Sequence, residues 1–139
     1  MITTCGSNLK EIYLRGCKKI TDVSILKIAE LCPQLEILDI STGSRYGDFD
    51  KVYVKDVTDN SIIQICERCK NLKVLDLEGC KITSKTSEAI ITKCFFLEKL
   101  NLRYVEPQVV ETISEALYSS GCLPHLRTLE TNYTGGFLR

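Results

Sequence analysis

Residues 69–83, CKNLKVLDLEGCKIT, limit what this chain can fold into more than any other stretch, because near-copies of them recur on both sides. Written as C-x-x-L-x-x-L-x-L-x-x-C-x-I-T, the stretch sets Cys69, Leu72, Leu75, Leu77, Cys80 and Ile82 at fixed offsets. Its centre returns as LKEIYL from Leu9, LEILDI from Leu35, LEKLNL from Leu97 and LRTLET from Leu126. A unit this short cannot bury its apolar face alone, so the copies must stack and share one core. The anchor leucines are 26, 37, 25 and 29 residues apart, against a period of about 20–29 for stacked strand-and-helix units. The second spacing is the long one and marks an insertion at residues 41–56.

Between anchors the apolar period changes from that of a strand to that of a helix. In residues 21–32, TDVSILKIAELC, the residues Val23, Ile25, Leu26, Ile28, Ala29 and Cys32 are expected on one side, and Ile62, Ile63, Ile65, Cys66 and Cys69 repeat the pattern in residues 58–69. Thr21-Asp22, Thr58-Asp59 and Thr83-Ser84 stand where these helices begin, with side-chain oxygens suited to the unpaired N–H groups of a first turn. The last unit opens at Pro107, carries Val109 and Leu117 in the same columns, and leaves through Ser119-Ser120-Gly121 to Cys122.

A strand that always leads through a helix to a parallel strand one layer on predicts an α/β right-handed solenoid, with about five parallel strands on the concave face and four helices on the convex face. Residues 1–139 read as a single domain. The leucines point inward, so the residues between them form outward stripes: Glu11, Ile37, Val74, Lys99 and Thr128; then Tyr13, Asp39, Asp76, Asn101 and Glu130; then Arg15, Ser41, Glu78, Arg103 and Asn132. The partner-binding candidates on this face are Glu11, Tyr13, Arg15, Ile37, Asp39, Val74, Asp76, Glu78, Lys99, Asn101 and Arg103. Asp39 and Asp76 should face the same way on adjacent strands about 4.8 Å apart. Lys99 and Arg103 would ease that repulsion, or a basic side chain of a partner would. The inserted loop adds Arg45, Tyr46, Phe49 and Tyr53, too apolar a set for a purely solvated linker.

The charge balance, 18 basic against 18 acidic residues, argues against nucleic acid or an anionic membrane as the partner. No apolar run approaches the ~18 residues of a spanning helix and no targeting segment is visible, so an intracellular, cytoplasmic or nuclear location is expected. The eight cysteines track the repeat and are expected to fill small buried slots as reduced thiols. Cys66-x-x-Cys69 with Cys94 gives an alternative reading as a cysteine-based metal or redox protein, but further ligands are wanting: the one histidine, His125, lies in another unit. No nucleophile motif and no phosphate-cradling loop occurs, so neither catalysis nor a cofactor or metal is expected, and Gly135-Gly136 reads as a tail. A structural or self-associating array is a further alternative, since both ends of the stack lack a dedicated cap.

The stretches CPQLEILDIS, LKEIYLRGCKKITD and CKNLKVLDLEGCKIT resemble the cysteine-containing class of leucine-rich repeats, from about Cys5 to Leu129. That class is typical of F-box/leucine-rich-repeat proteins, the substrate-recognition subunits of SCF-type, cullin–RING ubiquitin ligases. The resemblance implies a leucine-rich-repeat solenoid that binds a protein target through the concave sheet and adjoining loops. It extends to the repeats alone: only residues 1–8 precede Leu9, where an F-box would stand.

Overall fold

The computed structural model describes residues 6–43, 55–132 and 135–137. After a single 3-10 turn at Gly6–Asn8, the elements run β1 (Glu11–Tyr13), α1 (Asp22–Leu31), β2 (Ile37–Asp39), β3 (Lys55–Thr58), α2 (Asp59–Arg68), β4 (Val74–Asp76), β5 (Cys80–Lys81), α3 (Ser84–Lys93), β6 (Lys99–Asn101), α4 (Pro107–Ser119), β7 (Thr128–Glu130) and β8 (Gly135–Phe137). The five strands β1, β2, β4, β6 and β7 pair in parallel, each with the next, and each helix packs against its successor. This is the parallel sheet and helix layer that the period change predicts.

The pairing follows the leucine pattern residue for residue. Ile12, Leu38, Leu75, Leu100 and Leu129 are register partners across the sheet. Leu38, Leu75 and Leu100 are each 0 % exposed, a burial that contributes about 1.5–3 kcal/mol per side chain. Ile28, Ile65 and Ile90 meet them from the helices, so strand and helix columns close on one continuous core. The exit from each helix also repeats. The amide of the anchoring leucine donates to the carbonyl three residues earlier, Leu35 to Cys32, Leu72 to Cys69, Leu97 to Cys94 and Leu126 to Leu123, and Leu9 donates in the same way to Gly6.

Several expectations are corrected. Val23 and Leu26 are 70 % and 39 % exposed, outside the buried side of α1; Ile25, Ile28 and Ala29 carry that side. Cys32, Cys66, Cys69, Cys80 and Cys94 fill core slots, whereas Cys17 is exposed and Cys122 half-buried. Cys80 is covered because β3 pairs in parallel with β5 as a separate two-stranded sheet, and among the described residues no preceding unit covers Cys17 in that way. Gly135-Gly136 is not a tail: β8 pairs antiparallel with β7, so the C-terminal end of the parallel sheet is covered. Arg45, Tyr46, Phe49 and Tyr53 of the insertion lie outside the described residues.

Candidate functional face

The sheet turns one face to the helices and leaves the other open, and the outward stripes lie in register on it. Glu11, Ile37, Val74, Lys99 and Thr128 form one row of partners, and Tyr13, Asp39, Asp76, Asn101 and Glu130 the next. Glu11, Tyr13, Arg15 and Lys99 are exposed, while Ile37, Asp39, Val74, Asp76 and Arg103 are half-buried. Glu78 and Asn101 sink to 6 % and 5 % exposure and offer a partner little surface. The reason is a chain of short bonds running down the stripes. Asn101 Nδ2 donates to Asp76 Oδ2 at 3.2 Å while its own Oδ1 accepts the Arg103 amide at 3.0 Å. The Glu78 carboxylate accepts the Thr42 hydroxyl at 3.0 Å.

That last contact depends on Gly79. Its φ is +76°, and a Cβ there would stand 2.3 Å from Thr42 Cγ2, so only glycine lets the neighbouring loop come so close. The third stripe therefore sinks below the surface at its middle, with Ser41 at 1 % exposure beside Glu78.

Asp39 and Asp76 are direct register partners. Each holds the backbone two residues on: Asp39 Oδ1 accepts the Ser41 amide at 3.0 Å and the Ser41 hydroxyl at 2.6 Å, and Asp76 Oδ1 accepts the Glu78 amide at 3.1 Å. Burial pushes the Asp76 carboxyl up to about 6, with the Asp39 charge adding to the rise against the Glu78 amide bond. Among the described residues neither basic neighbour forms an ion pair with Asp39 or Asp76. Lys99 Nζ is drawn to Glu130 Oε1 at 3.0 Å, and the Arg103 guanidinium lies 5.8 Å from the centre of the Tyr104 ring. Arg103 Nε is buried without a partner among the described residues. Tyr13, 61 % exposed, flanks the acidic pair, its hydroxyl donating to Glu11 Oε2 at 3.2 Å.

The cysteine alternative meets a different environment. Cys66, Cys69 and Cys94 are 0–2 % exposed. A hydrogen bond with Cys94, together with burial, raises the Cys66 thiol well above its usual range, and burial first of all pushes Cys69 up to about 12. Thiols held protonated in this way are poor nucleophiles and poor metal ligands. Among the described residues no group of three or more His, Cys, Asp or Glu side chains is placed to hold a metal ion, and no described helix is long and apolar enough to cross a membrane.

One surface feature escaped the sequence reading. Phe95 and Phe96, 57 % and 47 % exposed, pack edge to face with ring centres 5.1 Å apart, and His125 lies 5.3 Å from Phe95 and 5.8 Å from Phe96. They occupy the helix-to-strand turn where other units carry Pro33-Gln34 and Lys70-Asn71. That change to a pair of aromatic residues in one turn was the signal to read.

No curated protein matches the chain. Residues 68–85 match the family model described as Leucine Rich repeat, a match that covers the defining stretch of the sequence and supports reading the repeating strand-and-helix unit as a leucine-rich repeat.

Proposed function

We propose that the chain is a protein-interaction module that captures a protein partner on the open face of its parallel sheet, with the inserted residues 41–56 adding contacts. Leucine-rich repeats generally mediate protein–protein interaction, and they do so by presenting a rigid surface rather than by chemistry. The general handedness of parallel strand–helix–strand connections makes the solenoid right-handed, with the open sheet concave. The observation that carries the reading is the Asp39–Asp76 pair, set side by side, with the nearest lysine on that face engaged by Glu130 instead. A partner that offers a lysine or arginine between the two carboxylates would supply the missing charge, and Tyr13 beside them would supply apolar contact.

The cysteine-bearing form of the repeat extends the proposal to the target-binding part of an SCF-type ubiquitin-ligase adaptor. The test of the general reading is affinity capture from cell extract with the wild-type chain and the double variant Tyr13→Ala, Asp76→Ala as baits, each first shown to be folded by circular dichroism. Proteins held by the wild type should be lost from the variant; identical sets from both baits would remove the open face as the binding surface. Ligase components among the captured proteins support the adaptor role, and their absence from a set that otherwise depends on the face removes that role alone.

A further inference from the structure

The units are fastened to one another by a clasp at the helix starts. Asp22 Oδ1 accepts the Thr58 amide at 2.8 Å and the Ser61 hydroxyl at 2.6 Å, and its Oδ2 accepts the Thr58 hydroxyl at 2.6 Å. One unit further on, Asp59 repeats this with the Thr83 amide at 2.8 Å, the Thr86 hydroxyl at 2.6 Å and the Thr83 hydroxyl at 2.7 Å. Each aspartate thus closes a site of three donors on the unit that follows: a threonine amide, its hydroxyl, and the hydroxyl of a serine or threonine three residues later. The clasp stops after the third unit, where Ser84 stands in the aspartate column and Ser87 donates instead to the Val109 carbonyl at 2.9 Å.

The first unit carries the same receiving pattern. Thr21 and Ser24 stand at the spacing of Thr58 and Ser61, and the Thr21 side chain makes no capping bond to its own helix. Among the described residues no carboxylate reaches either. Ser24 is only half-buried, whereas Ser61 and Thr86 are 0 % exposed, which identifies this column as one that a preceding unit covers. Other columns agree. Leu9 and Leu14 are half-buried where Leu35, Ile40, Leu72 and Leu77 are at most 1 % exposed, and Ile20 is 8 % exposed against 0 % for Val57.

The sheet is open on the same side. Lys10 O accepts the Ile37 amide and the Leu14 amide donates to Asp39 O, so the intervening Glu11 and Tyr13 turn their backbone groups to the other edge of β1. Among the described residues no strand pairs with that edge. The chain also enters β1 through the turn by which it enters every later parallel strand. A second copy of this chain stacked head to tail does not meet these requirements, because its last helix has Pro107 in the aspartate column and its last parallel strand is covered by β8.

We propose that this end of the array, Thr21 and Ser24 together with the edge of β1 that no described strand pairs with, is a docking surface for a further leucine-rich-repeat unit that carries an aspartate at the start of its helix and stacks in the same direction as the units that follow. The occupant is specified by continuity with the two clasped interfaces already present: a strand for the edge of β1, an apolar layer over Leu9, Leu14 and Ile20, and a carboxylate for the three donors.

The experiment replaces residues 1–5 with a copy of residues 72–94 carrying Ser84→Asp and follows single-amide hydrogen exchange by NMR, with Thr58 and Thr83 as internal standards. The Thr21 amide should slow by at least about tenfold relative to the original chain, a local change in opening that exchange reads directly. The slowing should vanish when the added copy keeps its serine. A Thr21 amide that exchanges equally fast in all three proteins while Thr58 and Thr83 stay protected overturns the proposal, as does equal slowing with serine and with aspartate. A second arm uses the chain as it stands: Asp22→Ala should release the Thr58 amide by a similar factor, and continued protection of Thr58 would mean that the aspartate is not what the receiving site takes.

Discussion

Aspartates occupy two places in this molecule, and the protein treats them in opposite ways. At the helix starts, burial alone would push Asp22 and Asp59 up. The Ser61 hydroxyl and the Thr58 donors for Asp22, and the Thr83 amide with the Thr86 and Thr83 hydroxyls for Asp59, outweigh it and hold both carboxyls below their usual value. On the open sheet face Asp76 is more deeply buried, has one amide and one carboxamide to hold its charge, faces Asp39, and rises to about 6. A carboxylate met by three donors fastens one unit to the next; a carboxylate met by a like charge costs stability while it remains ionised. The first arrangement belongs to the scaffold, and the second lies on the face proposed to take a partner.

Removing a clasp should have the largest effect. Asp59→Ala strands the Thr83 amide and the hydroxyls of Thr83 and of the fully buried Thr86. Loss of bonds to a charged acceptor with buried donors left over should cost about 3 kcal/mol in urea unfolding at neutral pH. The sheet-face aspartate should behave in the opposite sense. A rise from 3.8 to about 6 corresponds to about 3 kcal/mol at ~1.4 kcal/mol per unit. Solvent screening and the lost acceptor for Asn101 reduce this, so Asp76→Asn should stabilise the protein by about 1–2 kcal/mol at pH 8.

The pH dependence separates the two classes. Folded Asp76 binds its proton more tightly than the unfolded chain does, so its unfavourable contribution sets in as pH rises from about 4 to about 6. The advantage of Asp76→Asn should therefore fade in unfolding curves taken toward pH 4. Asp22 and Asp59 have lowered values, so their contribution is complete above the unfolded carboxyl range and is lost as pH falls through the folded values. An Asp59→Ala penalty that stayed constant from pH 7 down to pH 2 would break the distinction. The smallest effect should come from Lys99→Ala. Its ion pair with Glu130 is 48 % and 32 % exposed at the two side chains, and such pairs contribute less than about 0.5 kcal/mol.

Much of this arrangement is legible in the residues. The leucine columns fix which side chains turn inward, and because strand side chains alternate with period two, the Tyr13–Asp39–Asp76–Asn101–Glu130 row follows directly and is found in register. The pattern says less about side chains that reach sideways. Thr21-Asp22 and Thr58-Asp59 read as helix caps, yet neither Thr21 nor Thr58 caps its own helix, and the aspartates serve the next unit instead. Only Thr83 caps locally, accepting the Lys85 amide. The descent of Glu78 from the surface was also hidden, because it depends on how closely Thr42 approaches Gly79 across two loops. The strand at Gly135–Phe137 was missed because two glycines carry no apolar alternation, and its partner comes from the sheet edge rather than from its own composition.

Among the described residues each helix packs against the helices of the adjacent layers, and each parallel strand pairs with the strands beside it. Cohesion is therefore passed from layer to layer instead of being pooled in a common centre. Damage at one end need not be felt at the other. A chain that loses its outermost layer is a shorter version of the same object, and the number of layers can change over evolutionary time by duplication or deletion without the remaining ones being redesigned.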